Sequence, residues 1–316
     1  MNPADARDRM NRVLDAIGGT VVGKHDVLKL IAVGLTADGH LLLEDLPGLG
    51  KTLIAKSFAS ALGLTFSRVQ FTADLMPHDI TGGEVYDPSS GKFTFRPGPI
   101  FAQVLLADEI NRAPPKVQSA LLEAMQEFQV TSERSTYPLE RPFLVLATQN
   151  PIELEGTYPL PEAQVDRFLL RLTIGYPSHA EETAILARRR EARRDLTPPP
   201  AAFGAGEFRQ VQEAVEDVAI DPSLEEYAVS LVEATRQDPR VEVGSSPRGS
   251  LALQKLARAN ALLEGRDFVA PDDVKELAIP ALAHRLLIKA EPWIRGLRGR
   301  TVVEEIVRKT PVPKSS

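Results

Sequence analysis

Residues 41–53 read Leu41-Leu42-Leu43-Glu44-Asp45-Leu46-Pro47-Gly48-Leu49-Gly50-Lys51-Thr52-Leu53. A short apolar run enters a Gly-rich turn closed by Lys-Thr, and a helix-like stretch follows from Leu53 to Leu62. Strand, turn and helix in that order form a cradle for a nucleoside triphosphate. The turn, with Pro47, Gly48, Leu49 and Gly50, aims backbone N–H groups at phosphates, and the following helix N-terminus favours negative charge. Lys51 supplies a point charge for the β- and γ-phosphates, and the Thr52 hydroxyl is a ligand for Mg²⁺. One position departs from the G-x-x-x-x-G-K-[ST] pattern: Asp45 stands where the first glycine is expected.

A second motif lies downstream in Val104-Leu105-Leu106-Ala107-Asp108-Glu109. An apolar strand ending in two acids suits one carboxylate on a Mg²⁺ shell and one that polarises the attacking water. Asp108 takes the metal role and Glu109 the general-base role. Strand-end acids alone are common; after a phosphate-binding lysine the pair reads as functional.

The remaining composition narrows the class. The 316 residues suggest about two domains. A net charge of −6 argues against a general nucleic-acid or anionic-membrane surface, and no apolar run is long enough to span a bilayer. There are no cysteines, hence no disulfide or thiolate metal site, and His25, His40, His78, His179 and His284 are scattered. The first residues carry no apolar signal core, so the expected compartment is the cytoplasm.

Apolar stretches at 40–44, 65–71, 103–108, 142–148 and 168–174, separated by helical or loop segments, indicate an α/β fold with a parallel five-stranded sheet. Amphipathic spacing predicts a helix over 4–17 and a second one ending near Asp38. Residues 81–100 and 128–142 read as inserted β-hairpins that protrude from the core. After residue 177 the strand signals largely stop. Helices are expected at 178–195, 207–216, 222–236, 247–264, 271–279 and about 280–289. The division is therefore a core over 1–177, an all-helical lid over 178–310 and a tail over 311–316. The arginine run from Arg188 to Arg194 reads as a solvated helix face, because no aromatic residues interleave it.

The stretches EDLPGLGKT (44–52), QFTADLMPHDITG (70–82), LLADEINRAPPKVQSALLEAMQE (105–127), LATQNPIELEGTYPLPEAQVDRF (146–168) and SSPRG (245–249) resemble the AAA+ ATPases, and among them the MoxR family. The resemblance covers about residues 10–310 and implies ATP as the nucleotide, with Mg²⁺. It implies that Val21, Val22 and Gly23 lie beside adenine, that Asn150 positions the attacking water, and that Arg248 is the second sensor. It implies that Arg167 is an arginine finger reaching into a neighbouring subunit. Pro247 in the first turn puts Arg248 at a helix N-terminus, where an arginine suggests an anionic partner. Arg112 reads either as a contact to nucleotide or neighbour or as a stabiliser of the fold, and Glu123 as structural.

The partners implied are like subunits in a hexameric ring and a client protein matured or remodelled by the ring. One client class is a protein with a von Willebrand factor A domain and its metal site. No nucleic acid and no membrane insertion are expected. Two alternatives stay open: a chelatase-type motor driving metal insertion, and a weakly hydrolysing nucleotide-gated scaffold. The intact set Lys51, Thr52, Asp108, Glu109, Asn150, Arg167 and Arg248 speaks against the scaffold.

Overall fold

The computed structural model describes residues 1–89, 91–132, 135–152, 156–193, 196–204 and 206–313. Two helices, α1 (Pro3–Thr20) and α2 (His25–Thr36), lead into β1 (Leu41–Glu44). There follow α3 (Lys51–Ala61), β2 (Phe66–Gln70), α4 (Pro77–Thr81), the hairpin β3 (Gly82–Asp87) and β4 (Lys92–Pro97), and β5 (Val104–Asp108). Next come α5 (Pro115–Glu127), the hairpin β6 (Gln129–Ser132) and β7 (Ser135–Pro138), β8 (Leu144–Gln149), α6 (Glu162–Val165) and β9 (Leu170–Leu172). The rest is α7 (His179–Ala192), α8 (Glu207–Ala214), α9 (Pro222–Gln237), β10 (Val241–Val243), α10 (Pro247–Leu263), α11 (Pro271–Leu282), β11 (Leu287–Ile288), α12 (Ala290–Ile294) and α13 (Gly299–Lys309).

The main sheet has the order β2-β5-β8-β1-β9, with every pairing parallel. Its strands are the five apolar stretches expected from the sequence. Both faces are buried, so alternate side chains feed two cores. Leu41, Leu43, Leu106, Leu146 and Leu170 face one core, and Leu42, Leu105, Val145 and Ala147 face the other. The first core continues through α1, α2 and α3 into the helices beyond residue 178: Met10, Ile31, Leu256 and Leu277 all belong to it. The second is closed by α5 and by Phe71, Phe143 and Phe168. The outer edge of β9 is packed against α11, which shields backbone groups that would otherwise invite another strand.

Both inserts form hairpins, antiparallel in register from Gly82↔Pro97 to Asp87↔Lys92 and from Gln129↔Pro138 to Ser132↔Ser135. Phe95 of the first stacks on Tyr137 of the second, with centroids 3.8 Å apart. The turn residues 90 and 133–134, Arg194 of the basic run and the end of the tail lie outside the described residues.

Beyond residue 178 the helices dominate, with two departures from expectation. No helix spans 280–289. Instead α11 runs through Pro280 to Leu282, because Leu277, Ala278, Ala281 and Leu282 are all buried and packing outweighs the donor lost at the proline. Leu287 and Ile288 then form β11, which pairs antiparallel with β10, so the lid carries a two-stranded ribbon. Its final helix, α13, has Val302, Val303 and Ile306 on its buried side.

His40, at the entrance to β1, ties three elements together. Its Nε2 donates to the Met125 carbonyl (2.9 Å) and its Nδ1 accepts from Val145 N–H (3.1 Å). Burial pushes its pKa down to about 4, against the opposing hydrogen bond to Met125. The unfolded imidazole protonates near 6.5, so between those values the unfolded chain binds the extra proton and stability falls as pH falls. Going from pH 7 to pH 5, the wild type should lose about 2 kcal/mol more than His40→Gln, measured by denaturant unfolding at both pH values. Equal losses in the two proteins would remove His40 from this account.

Candidate functional site

In a parallel sheet the C-terminal ends of neighbouring strands share one edge, where ligands sit. Here β1, β8 and β5 are adjacent and end in the phosphate-binding loop, in Asn150 and in Asp108-Glu109. They open onto a pocket of about 250 Å³. Pro47, Gly48, Gly50, Lys51 and Thr52 form one wall, Asp108, Glu109 and Asn150 another, and Arg68 and Gln70 of β2 close it. Gly48 and Gly50 both have φ of +82°, a left-handed backbone that glycine takes without strain, and Gly50 is the N-cap of α3. Lys51 Nζ folds back to donate to the carbonyls of Asp45 (2.6 Å) and Leu46 (2.8 Å). Burial lowers the Lys51 pKa, opposed by Asp45, Asp108 and Glu109.

The geometry explains Asp45. Its Oδ1 accepts from Leu46 N–H (2.9 Å), and its Oδ2 accepts from Ile174 N–H (2.7 Å) and Gly175 N–H (2.6 Å). Ile174 and Gly175 begin the segment that leaves β9 for α7. A side chain at the first loop position thus ties the phosphate-binding loop to the segment between β9 and α7, which glycine could not do.

Asp108 is held from two sides. Its Oδ1 accepts from the Thr148 hydroxyl (2.6 Å) and its Oδ2 from Arg68 Nη2 (2.6 Å) and Nε (3.1 Å). Thr148, fully buried on β8, also accepts from Glu109 N–H (2.8 Å). Glu109 itself has φ of +57°, an unusual backbone for a non-glycine residue and one found at functional sites. Its Oε2 accepts from Gln70 Nε2 (2.8 Å) and lies 3.0 Å from Arg112 Nε. One contact of Arg112 is thus to this carboxylate. Glu123 lies on an exposed face of α5, outside the pocket.

An apolar slot of about 220 Å³ adjoins the phosphate pocket and shares Gly48 and Gly50 with it. Val21, Val22, Leu49, Leu53, Ile174 and Ile185 line it, a surface suited to a flat base. Gly23 lies against Glu181 of α7 so closely that a Cβ would fall 1.8 Å from its carboxylate. Lys24 Nζ donates to the Tyr176 carbonyl (2.6 Å), joining this loop to the core–lid connection.

For Mg²⁺ the chain offers the Thr52 hydroxyl and the Asp108 carboxylate, both hard oxygen donors. No cluster of three or more His, Cys, Asp or Glu able to hold a metal occurs among the described residues. This set does not cage an ion by itself but fits one that arrives with phosphate oxygens and water.

Asn150 is buried beside the phosphate pocket, with Oδ1 accepting from Ile152 N–H (3.2 Å). Arg167 and Arg248 are elsewhere. Arg167 precedes β9, and Leu169 N–H donates to the His40 carbonyl at the entrance to β1. That is the end of the sheet opposite the phosphate-binding loop, separated from it by the length of β1, about 13 Å. Arg248 follows Ser246, whose hydroxyl caps α10. Its anionic partner is Asp166, 3.6 Å away, immediately before Arg167. Neither arginine lines the pocket of its own chain. Asp166 pairs with Arg285 and Arg248, not with Arg167.

Arg68, Gln70 and Thr148 escaped the sequence reading. The available signal was the i, i+2 pairing of Arg68 and Gln70 near the end of a strand otherwise expected to be buried, which puts two polar groups on one face.

Comparisons with known proteins agree with this geometry. Residues 40–170 match the ATPase family associated with various cellular activities (AAA), and residues 233–306 match the AAA lid domain. An uncharacterised Bacillus subtilis protein, YeaC, is 46% identical over 98% of this chain and 96% of its own. The chaperone MoxR1 of Mycobacterium tuberculosis is 42% identical over 96% of this chain and 82% of its own. The crystal structure of a candidate ATPase from Cytophaga hutchinsonii is similar at a TM-score of 0.90 and 40% identity, covering 99% of this chain and 97% of that one.

Replacing Asp45 by glycine, the commoner residue at that loop position, strips Leu46, Ile174 and Gly175 N–H of their acceptor. Asp45→Gly should destabilise the nucleotide-free protein by about 2–4 kcal/mol. A denaturant midpoint equal to the wild type would contradict this role.

Proposed function

The chain belongs to the AAA+ ATPases of MoxR type, and from that premise we propose that it hydrolyses ATP in a ring of like subunits and remodels a partner protein with the energy released. The observation that carries the reading is the meeting of Lys51 and Thr52 with Asp108, Glu109 and Asn150 in one pocket beside an apolar slot.

The slot takes the nucleoside. The loop N–H groups and the α3 N-terminus receive the phosphates, and Lys51 exchanges its two carbonyl partners for phosphate oxygens. Thr52 and Asp108 would hold Mg²⁺, which when bound would neutralise charge on the phosphates. Thr148 fixes the Asp108 carboxylate toward that position. Glu109 accepts a proton from water as the water oxygen bonds to the γ-phosphorus and the bond to the bridging oxygen breaks, giving ADP and phosphate. Gln70 and Arg112 keep the Glu109 carboxylate from swinging away, and Asn150 orients the water.

The transition state gathers negative charge, and the arginines that suit it lie at the far end of the sheet. They serve a neighbouring subunit, whose phosphate pocket abuts that end in a closed, hexameric ring. The two hairpins, locked to each other by Phe95 and Tyr137, present exposed Tyr86 and Phe93 as the working surface toward the client. A client bearing a von Willebrand factor A domain is the class that the family resemblance favours. Among the described residues no helix is long and apolar enough to cross a membrane.

Glu109→Gln should bind ATP as the wild type does and turn it over roughly a hundredfold or more slowly, because the positioned base is gone. Lys51→Ala should lose nucleotide binding itself. Steady-state phosphate release and titration with a fluorescent ATP analogue separate the two effects. Wild-type turnover in Glu109→Gln would overturn the base assignment.

A further inference from the structure

The turn carrying Arg167 is gripped from both sides by the lid. Arg285 Nη1 donates to the Asp166 carbonyl (2.7 Å) and to its Oδ1, and Arg285 Nη2 donates to the Phe168 carbonyl (2.9 Å). Arg285 Nε is anchored on the Ala281 carbonyl (2.7 Å), at the end of α11. His284 Nε2 meets the same Phe168 carbonyl at 3.1 Å. The other Asp166 oxygen accepts from the Ser246 hydroxyl at 3.1 Å. Apart from the Ala281 anchor, each of these bonds ends on Asp166 or Phe168, the residues on either side of Arg167, while Arg167 Nε has no hydrogen-bond partner among the described residues.

The Arg285 side chain is only 3% exposed. A buried ion pair is a poor source of net stability, since apolar residues of similar volume often do as well or better. What this pair supplies is direction. Its planar fork fixes the orientation of a backbone turn as well as of a carboxylate, which a point charge could not do.

We propose that Arg285, acting through Asp166, is a positioning residue for Arg167 and sets how that arginine is presented to the neighbouring subunit. The proposal rests on the reading of Arg167 as a finger acting in trans.

Asp166→Asn and Arg285→Gln test this in full-length assemblies, with Arg167→Ala as reference. Both variants should bind a fluorescent ATP analogue as tightly as the wild type. Their own assemblies should turn over ATP at least about tenfold more slowly, since misplacing a catalytic group by about 1 Å costs on that order or more. Mixed with Lys51→Ala subunits, which carry an intact turn but bind no nucleotide, they should regain turnover, as should Arg167→Ala. Differential tags establish that mixed assemblies form. Restoration of Arg167→Ala but not of the two variants would place their defect in their own sites and overturn the proposal. Wild-type turnover by the variants alone would overturn it too. Failure to restore Arg167→Ala would remove the finger reading, and the proposal with it. Should Arg285→Gln fail to assemble, Asp166→Asn, which keeps the shape and one acceptor oxygen, decides.

Discussion

Parallel pairing of β1 with β8 and β9 gives the sheet two unlike ends, and the remaining architecture follows from that constraint. Every strand delivers its outgoing loop to one end, so the loop after β1, the acids after β5 and the asparagine after β8 meet without any long excursion of the chain. The same rule sends whatever precedes β9 to the other end. Arg167 enters β9 from there and Leu169 joins the backbone of His40 at the foot of β1. One subunit therefore carries a phosphate pocket at one end and a pair of arginines at the other. The proposed closed ring of such subunits would bring the unlike ends together.

Within the pocket, buried polar groups are satisfied by one another, which holds the site in shape before nucleotide arrives. Thr148 donates to the Asp108 carboxylate and accepts from Glu109 N–H, so one hydroxyl orients both acids. Arg68 covers the second Asp108 oxygen, and Lys51 rests on two loop carbonyls. These contacts are exchangeable: a hydrated cation and phosphate oxygens can replace a guanidinium and two carbonyls at little net change in hydrogen bonding. Asp45 differs, because its partners are main-chain amides of the core–lid connection. Those bonds tie the nucleotide loop to the segment between β9 and α7.

Much of this was legible in the sequence because it depends on local patterns. Continuous apolar runs reported buried strands, and glycines at 48 and 50 reported a turn that needs left-handed backbone. The strand-end acids pointed to Asp108 and Glu109, both of which line the pocket beside Lys51 and Thr52. What escaped depended on long-range packing. Pro280 marked a helix boundary by local rules, yet burial of Leu277, Ala281 and Leu282 carries the helix past it. Arg68 and Gln70 sat in a run classed only by its apolar content. The placement of Arg248 could not be read from its helix-cap position, since its partner, Asp166, is 82 residues upstream and reaches it only through the docking of the lid on the edge of β9. Nothing local distinguishes Arg285 from any other lid arginine, because the three bonds that converge on the Arg167 turn reach residues 117 and 119 positions upstream.

In the proposed ring the catalytic unit is the junction between subunits. The most direct measurement is ATP turnover per subunit as a function of protein concentration, with oligomer mass recorded on the same samples, for the wild type and Arg167→Ala. Wild-type turnover should rise in step with assembly, and Arg167→Ala should assemble without hydrolysing. Full turnover in samples that remain monomeric, or wild-type turnover in assembled Arg167→Ala, would contradict that junction.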